Sequence, residues 1–135
     1  MPTGYSGTPL AKKLGFKDGM TVWQRGLPDS VRAEIEAQAD VDWDAGAIGA
    51  RVAAHIFTTE RAEMEVLLAE LRGALVPDGF VWMSWPKKAS KVPTDITEDT
   101  IRAVALPMGF VDIKVCAVDA VWSGLKLVIR KELRG

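Results

Sequence analysis

The chain has 135 residues, enough for one hydrophobic core, so a single domain over residues 1–135 is expected. Its formal net charge is −1, so the overall charge gives no reason to expect nucleic acid or an anionic membrane surface as a partner. No apolar run approaches the ~20 residues of a membrane-spanning helix. The N-terminal residues lack a basic-then-apolar signal pattern, and one cysteine cannot form an internal disulfide, so we expect a cytoplasmic location.

Strands and helices alternate through the first half of the chain. Gly15 ends a short predicted helix, and Gly26 and Pro28 break the chain after the first strand. The predicted elements are a helix over residues 10–14, a strand over 20–24, a helix capped by Asp29 or Ser30, a very short strand over 41–43, a loop over 44–51 and a buried strand over 52–57.

The second half begins with the clearest helix, which Thr58 or Thr59 would cap and the turn Pro77–Gly79 would end. Its apolar stripe has helical spacing and consists of Met64, Leu67, Leu68, Leu71 and Leu75. The remaining predicted elements are a strand over 80–85, a helix capped by Asp95 or Thr97, and two strands over 110–118 and 122–130 that form an antiparallel hairpin.

This alternation predicts an α/β fold of three layers, Rossmann-like, with a mostly parallel sheet and a C-terminal antiparallel hairpin. The connection over residues 44–51 is difficult to place, because a parallel crossover usually needs a dozen or more residues. Two alternatives stay open: the segment 41–43 is not a strand, or the crossover there is atypical.

A terminal hairpin after parallel strands resembles the C-terminal half of class I methyltransferases, which hold S-adenosylmethionine at a glycine-rich turn after their first strand. The matching segment, residues 21–28, holds only Gly26 instead of a spaced set of glycines. The resemblance also implies an acidic residue for the ribose hydroxyls, and Asp42 and Asp44 are the candidates. The region between the first strand and Val52 is too short for the three strands that those enzymes usually place there, so the resemblance is one of architecture.

A closer resemblance rests on "GYSGTPLAKKLGFKDGM" at residues 4–20, "WPKKAS" at 85–90, "TDITED" at 94–99 and "GFVDIKVCAVDAVWSGLKLV" at 109–128. These stretches are similar to a small bacterial domain family of unknown function with a reduced methyltransferase-like fold. The resemblance implies no catalytic residues and no known cofactor.

One candidate site follows the strand over residues 80–85, since ligands of open parallel sheets bind at the carboxyl ends of strands. Lys87, Lys88 and Ser90 could hold a phosphate or carboxylate, and Trp85 could supply an apolar wall. The alternative is a solvated loop whose lysines serve solubility.

A second candidate is the N-terminal segment with Tyr5, Ser6 and Thr8, whose backbone N–H groups could form an anion-binding nest. The alternative is an arm whose glycines only allow tight packing. If this segment folds over the same edge as the lysine loop, the two form one pocket with the Gly26 turn.

Three further residues have both a functional and a structural interpretation. His55 lies in an apolar run and is expected to be a buried, hydrogen-bonded residue instead of a catalytic base. Cys116 is expected to be a buried, inert thiol. Trp122 covers the core edge or stacks on a ligand. No spacing typical of metal ligands, a P-loop or a catalytic triad is present.

These observations favour a non-catalytic or vestigial methyltransferase-like module that binds a small anion or a partner protein. The alternative is an S-adenosylmethionine-dependent enzyme with an unorthodox cofactor loop. A homodimer is a third hypothesis, because a reduced sheet leaves an edge strand that needs cover.

Overall fold

The computed structural model describes residues 8–134. Three short 3-10 turns supplement the regular elements, at Lys88–Ser90, Leu106–Met108 and Lys131–Leu133. The helices are α1 (Leu10–Leu14), α2 (Asp29–Glu36), α3 (Arg61–Ala74) and α4 (Glu98–Ala105). The strands are β1 (Thr21–Arg25), β2 (Asp42–Asp44), β3 (Arg51–Phe57), β4 (Leu75–Pro86), β5 (Phe110–Ala117) and β6 (Trp122–Ile129).

The strands form one sheet in the order β2-β1-β3-β4-β6-β5. Strands β1, β2, β3 and β4 are mutually parallel, and β6 is antiparallel to both of its neighbours. Strand β5 therefore has the same direction as β4, and β6 alone is reversed. The predicted mostly parallel sheet and the predicted terminal hairpin are both confirmed.

Helices cover both faces of the sheet, as expected for strands that are apolar throughout. On one face α1 and α2 bury Leu14, Val31 and Ile35 against the sheet. On the other face α3 and α4 bury a larger cluster, to which the predicted stripe of α3 contributes Met64, Leu67, Leu68 and Leu71. This arrangement confirms the predicted three layers.

The crossover from β2 to β3 contains no helix, so the second of the two alternatives is correct. The segment 42–44 is a strand, and the loop over residues 45–50 passes across β1 to reach β3. Trp23, fully buried on β1, holds this loop with a hydrogen bond of 2.9 Å from Nε1 to the Gly46 carbonyl. Arg51 at the start of β3 pairs with Asp44 at the end of β2, at 2.5 Å.

Three predicted boundaries are wrong. Pro28, not Asp29 or Ser30, occupies the cap position of α2, and no side chain caps that end. Helix α3 begins at Arg61, where the cap position belongs to Glu60. Strand β4 begins at Leu75, so the turn expected at Pro77–Gly79 is instead an irregular part of the strand. Sheet pairing with β3 overrides the turn signal of proline and glycine there.

Thr97, one of the two predicted caps, caps the helix over residues 98–105. The Thr97 hydroxyl accepts a hydrogen bond from the Thr100 N–H, and the Thr100 side chain accepts one from the Thr97 N–H. Within residues 8–134, no helix is long and apolar enough to cross a membrane.

Candidate functional site

The carboxyl ends of β1, β2, β3 and β4 meet at one edge of the sheet, because these strands are parallel. Strand β6 is antiparallel and begins at this edge, where Trp122 lies opposite Pro86. Side chains that follow the ends of four strands are thereby brought together with the first residue of β6. Ligands of open α/β sheets bind at this kind of edge.

The turn after β1 is packed against the protein's own backbone. Gly26 has a φ of +73°, and a Cβ atom there would lie 2.3 Å from the Phe57 carbonyl oxygen. The next N–H, that of Leu27, donates to Oε1 of Gln24 at 3.1 Å. Pro28 has no N–H. The absence of a side chain at Gly26 therefore lets this turn pack closely against the end of β3.

The end of β2 carries one of the two acidic residues that the resemblance singled out. Asp44 accepts hydrogen bonds from the Gly46 N–H at 3.0 Å and from the Arg51 guanidinium at 2.5 Å. The Gly46 N–H, with Arg51 beside it, lowers the pKa of Asp44 below its ordinary value. The carboxylate is thus held ionised by groups of the β2–β3 connection. Asp42, two residues earlier, lies opposite Thr21 of β1.

An open cleft of about 460 Å³ lies at the end of β3. Its walls come from β3, from the start of α3 and from the start of β6. The lining residues are Phe57, Thr58, Thr59, Glu60, Glu63 and Trp122. The rings of Phe57 and Trp122 meet edge to face, with centroids 5.3 Å apart. The cleft therefore combines the partly exposed ring of Trp122, with the buried ring of Phe57 behind it, with two hydroxyls and two carboxylates.

Glu63 connects this cleft to a neighbouring one of about 350 Å³ between β1, the 45–50 loop and α3. The Thr58 hydroxyl, which is buried, donates to the Glu63 carboxylate. The Arg25 guanidinium lies 3.8 Å from the same carboxylate, on the side of the second cleft. Glu63 is thus held between two elements, and Arg25 compensates part of its charge.

Two of the three polar side chains predicted to bind an anion in the lysine loop are engaged in hydrogen bonds within the protein. Lys87 Nζ donates to the Asp119 carbonyl at 2.9 Å, and the Ser90 hydroxyl donates to the Lys87 carbonyl at 2.7 Å. Lys88 is exposed. Trp85 is buried in the core beneath α3 and α4, so the prediction that it walls a surface site is wrong. Its position in β4 directs the ring into that core.

The N-terminal candidate is described only at its last residue. Tyr5 and Ser6 lie outside the described residues. Thr8 is half-buried and precedes α1, but it does not line the cleft at the end of β3. The nest and its junction with the lysine loop therefore stay predictions, while Gly26 and Trp122 both lie beside the end of β3.

His55 and Cys116 are buried, as predicted. His55 Nε2 lies 2.7 Å from Ser84 Oγ, and Nδ1 has no hydrogen-bond partner among the described residues. Burial lowers the pKa of His55 to about 3 and raises the pKa of the Cys116 thiol. His55 is thus neutral at neutral pH and is closed off from the cleft by burial.

Sequence reasoning placed Thr58 and Thr59 at the end of β3 but assigned them only to helix capping. It missed Glu63, which lies in the first turn of α3 and faces the cleft. The signal was present in the spacing: Thr58 and Glu63 are five positions apart, so a chain that turns into a helix can bring them together. The contact with Arg25 had no local signal.

No protein-family model and no curated protein matches the chain. Solved structures do match. A SAM-dependent methyltransferase from Aquifex aeolicus superposes with a TM-score of 0.61 at 16% identity, over 89% of this chain and 87% of that one. A TehB-like SAM-dependent methyltransferase from Corynebacterium glutamicum gives a TM-score of 0.54 at 10% identity, over 94% and 90%.

LepI in complex with SAH and a substrate analogue gives a TM-score of 0.57 at 8% identity and covers 90% of this chain. The chain spans 39% of the length of LepI. At such identities the likeness is one of fold, and membership of the small bacterial family stays a prediction. The chain has the Rossmann-like fold of SAM-dependent methyltransferases, in a form with a six-stranded sheet.

Proposed function

We propose that this protein is a methyltransferase-like binding module that does not transfer methyl groups. It would recognise its ligand at the carboxyl edge of the sheet, in the cleft lined by Thr58, Glu60, Glu63 and Trp122. The position of the cleft supports this proposal, since it lies where α/β sheets bind ligands.

The observation that carries the proposal is the state of the turn after β1. Gly26 is packed against Phe57, the Leu27 N–H is bonded to Gln24, and Pro28 has no N–H to offer. Methyltransferases are expected to hold their cofactor with the backbone of this turn, so a turn that is satisfied internally supports a function without the cofactor. Asp29 adds a negative charge at the start of α2, which disfavours an anionic group there.

The same reasoning applies to the acid at the end of β2. Asp44 already accepts hydrogen bonds from Arg51 and from the Gly46 N–H. It would have to give up one of them before all of its lone pairs could accept hydrogen bonds from ribose hydroxyls. The two places at which the resemblance would put the cofactor are thus both engaged by the protein itself.

The second candidate is an S-adenosylmethionine-dependent methyltransferase with an unorthodox cofactor loop. The fold of the matching structures favours it, because they include SAM-dependent methyltransferases. Fold alone does not carry an activity from one chain to another.

Isothermal titration calorimetry with S-adenosylmethionine and S-adenosylhomocysteine tests the two candidates. We expect no heat of binding up to 1 mM ligand, a concentration chosen as roughly a hundred times a typical cofactor Kd. A ligand at a hundred times its Kd would also stabilise the protein by ~2.7 kcal/mol, which a thermal-shift measurement detects. Binding that is lost in Asp44→Asn would instead support the enzyme.

The predicted anion site and the predicted protein contacts need tests of their own. Lys88 is the exposed lysine of the predicted anion site, and the affinity for sulfate bound there should fall in the Lys88→Ala variant. Light scattering distinguishes a monomer from the homodimer. Either result leaves the proposal for the cleft unchanged.

A further inference from the structure

The cleft at the end of β3 has the lining of a site for a cation. It presents the carboxylates of Glu60 and Glu63, and no lysine, arginine or histidine lines it. Glu60 is exposed and makes no ion pair among the described residues. Arg25 offsets part of the charge of Glu63, but it lines the neighbouring cleft instead of this one. The lining is therefore negatively charged and its charge is incompletely compensated.

The start of α3 does not turn the cleft into an anion site. The Arg61 N–H donates to Oδ1 of Asp95 at 2.7 Å, and the Glu60 N–H donates to the Thr58 hydroxyl at 3.2 Å. Free N–H groups and the positive end of the helix dipole are what attract anions to helix starts. Here carboxylates already surround that end, and they belong to Asp95, Glu60 and Glu63.

A metal ion is not the cation that fits. Among residues 8–134, no group of three or more acidic, histidine or cysteine side chains is arranged to hold a metal. Two of the six residues that line the cleft are aromatic, the partly exposed Trp122 and the buried Phe57 behind it. Aromatic rings together with carboxylates are the surroundings that favour organic ammonium groups, which gain from the ring electrons and lose little hydration.

We propose that this cleft binds the alkylammonium group of a small organic molecule, with Trp122 against its carbon atoms and Glu60 and Glu63 supplying the compensating charge. The inference rests on the proposed function in taking this cleft as the ligand site. The volume of about 460 Å³ admits a small molecule of this kind.

The test is a titration with tetramethylammonium chloride followed by the indole N–H signal of Trp122 in ¹H–¹⁵N spectra at constant ionic strength. The signal is assigned by its loss in Trp122→Phe. We expect a saturable shift, which tert-butanol, a neutral molecule of the same shape, produces at least tenfold more weakly. In Glu60→Gln the affinity for tetramethylammonium should fall at least fivefold.

Glu132→Gln is the matched control, because Glu132 is also an exposed carboxylate but lies in the C-terminal 3-10 turn. It should leave the affinity unchanged. Glu60 is exposed, so its substitution is expected to leave the fold intact, and unchanged signals of the other tryptophans would show this. Equal affinities for tetramethylammonium and tert-butanol, no saturable shift, or an unaltered affinity in Glu60→Gln would each overturn the inference.

The two proposals fail separately. Tight binding of S-adenosylmethionine would defeat the non-catalytic function, whereas a Trp122 signal that still responds selectively to tetramethylammonium would uphold the inference. The opposite outcome, no cofactor binding and no selectivity for the cation, would defeat the inference alone.

Discussion

His55 on β3 and Ser84 on β4 are joined side chain to side chain, with 2.7 Å between Nε2 and Oγ, and both are fully buried. The pair lies between neighbouring parallel strands, where Ser84 engages Nε2 of His55 out of reach of solvent and Nδ1 has no partner among the described residues. A charged imidazole would have no compensating carboxylate in this position, which is why burial alone lowers the pKa of His55 to about 3.

The first prediction is a loss of stability in mild acid. The unfolded chain binds a proton at His55 near pH 6.5, whereas the folded protein does so only near pH 3. Stability is therefore complete above pH 6.5 and is lost as the pH falls below that value, by ~1.4 kcal/mol per unit. Urea unfolding at pH 7.5 and pH 5 should differ by ~2 kcal/mol from this residue. In His55→Gln the difference should shrink by that amount, and an unchanged difference would contradict the assignment.

The second prediction concerns the close contact of Gly26. Gly26→Ala should destabilise the protein by roughly 3 kcal/mol or more, because strain at positive φ adds to a Cβ placed 2.3 Å from the Phe57 oxygen. Gly19 is the matched control, since its φ is +83° and no atom lies within 4 Å of its would-be Cβ. Gly19→Ala should cost only the strain, ~1–2 kcal/mol. Equal losses in chemical unfolding would show that the Phe57 contact is unimportant.

The third prediction concerns the start of α3, which a distant loop caps. Asp95→Ala should lower the free energy of unfolding by ~1 kcal/mol, because it removes the acceptor of the Arg61 N–H. Asp95→Asn keeps an acceptor oxygen and should lose less than half of that. Chemical denaturation measures both variants, and a larger loss in the asparagine variant would argue against capping.

The fourth prediction separates two adjacent lysines. Lys87→Ala should cost ~1 kcal/mol, because it removes the hydrogen bond to the Asp119 carbonyl that ties the loop to the start of β6. Lys88→Ala should change stability by no more than ~0.5 kcal/mol, as is usual for an exposed side chain. Thermal denaturation of the two single variants checks this difference. Equal effects would mean that the Lys87 contact contributes nothing.

Several elements could be predicted because their determinants are local. The hairpin of β5 and β6 follows from two apolar runs separated by a connection of only a few residues. The buried face of α3 follows from helical spacing, and Gly15 ends α1 with a φ of +77°. Such features depend on residues a few positions apart, which the sequence displays directly.

Other features depend on partners far along the chain. The extent of β4 was misjudged because Leu75 pairs with Arg51 across the sheet, which the proline and glycine between 77 and 79 conceal. The start of α3 was misjudged because its acceptor is Asp95, 34 positions away. Trp85 was assigned to a surface because nothing in its own segment shows which face of β4 the helices cover.

By itself, the sequence determined the α/β class, the order of the elements, the burial of His55 and Cys116, and the scarcity of glycine in the turn after β1. Only the tertiary structure decided how the β2–β3 crossover is made, that the Gly26 turn packs on Phe57, and that Thr58, Glu60, Glu63 and Trp122 share one cleft. The reason is physical: periodicity and turn chemistry act over a few residues, whereas a site at a sheet edge is formed by strand ends that only the order of the strands makes neighbours.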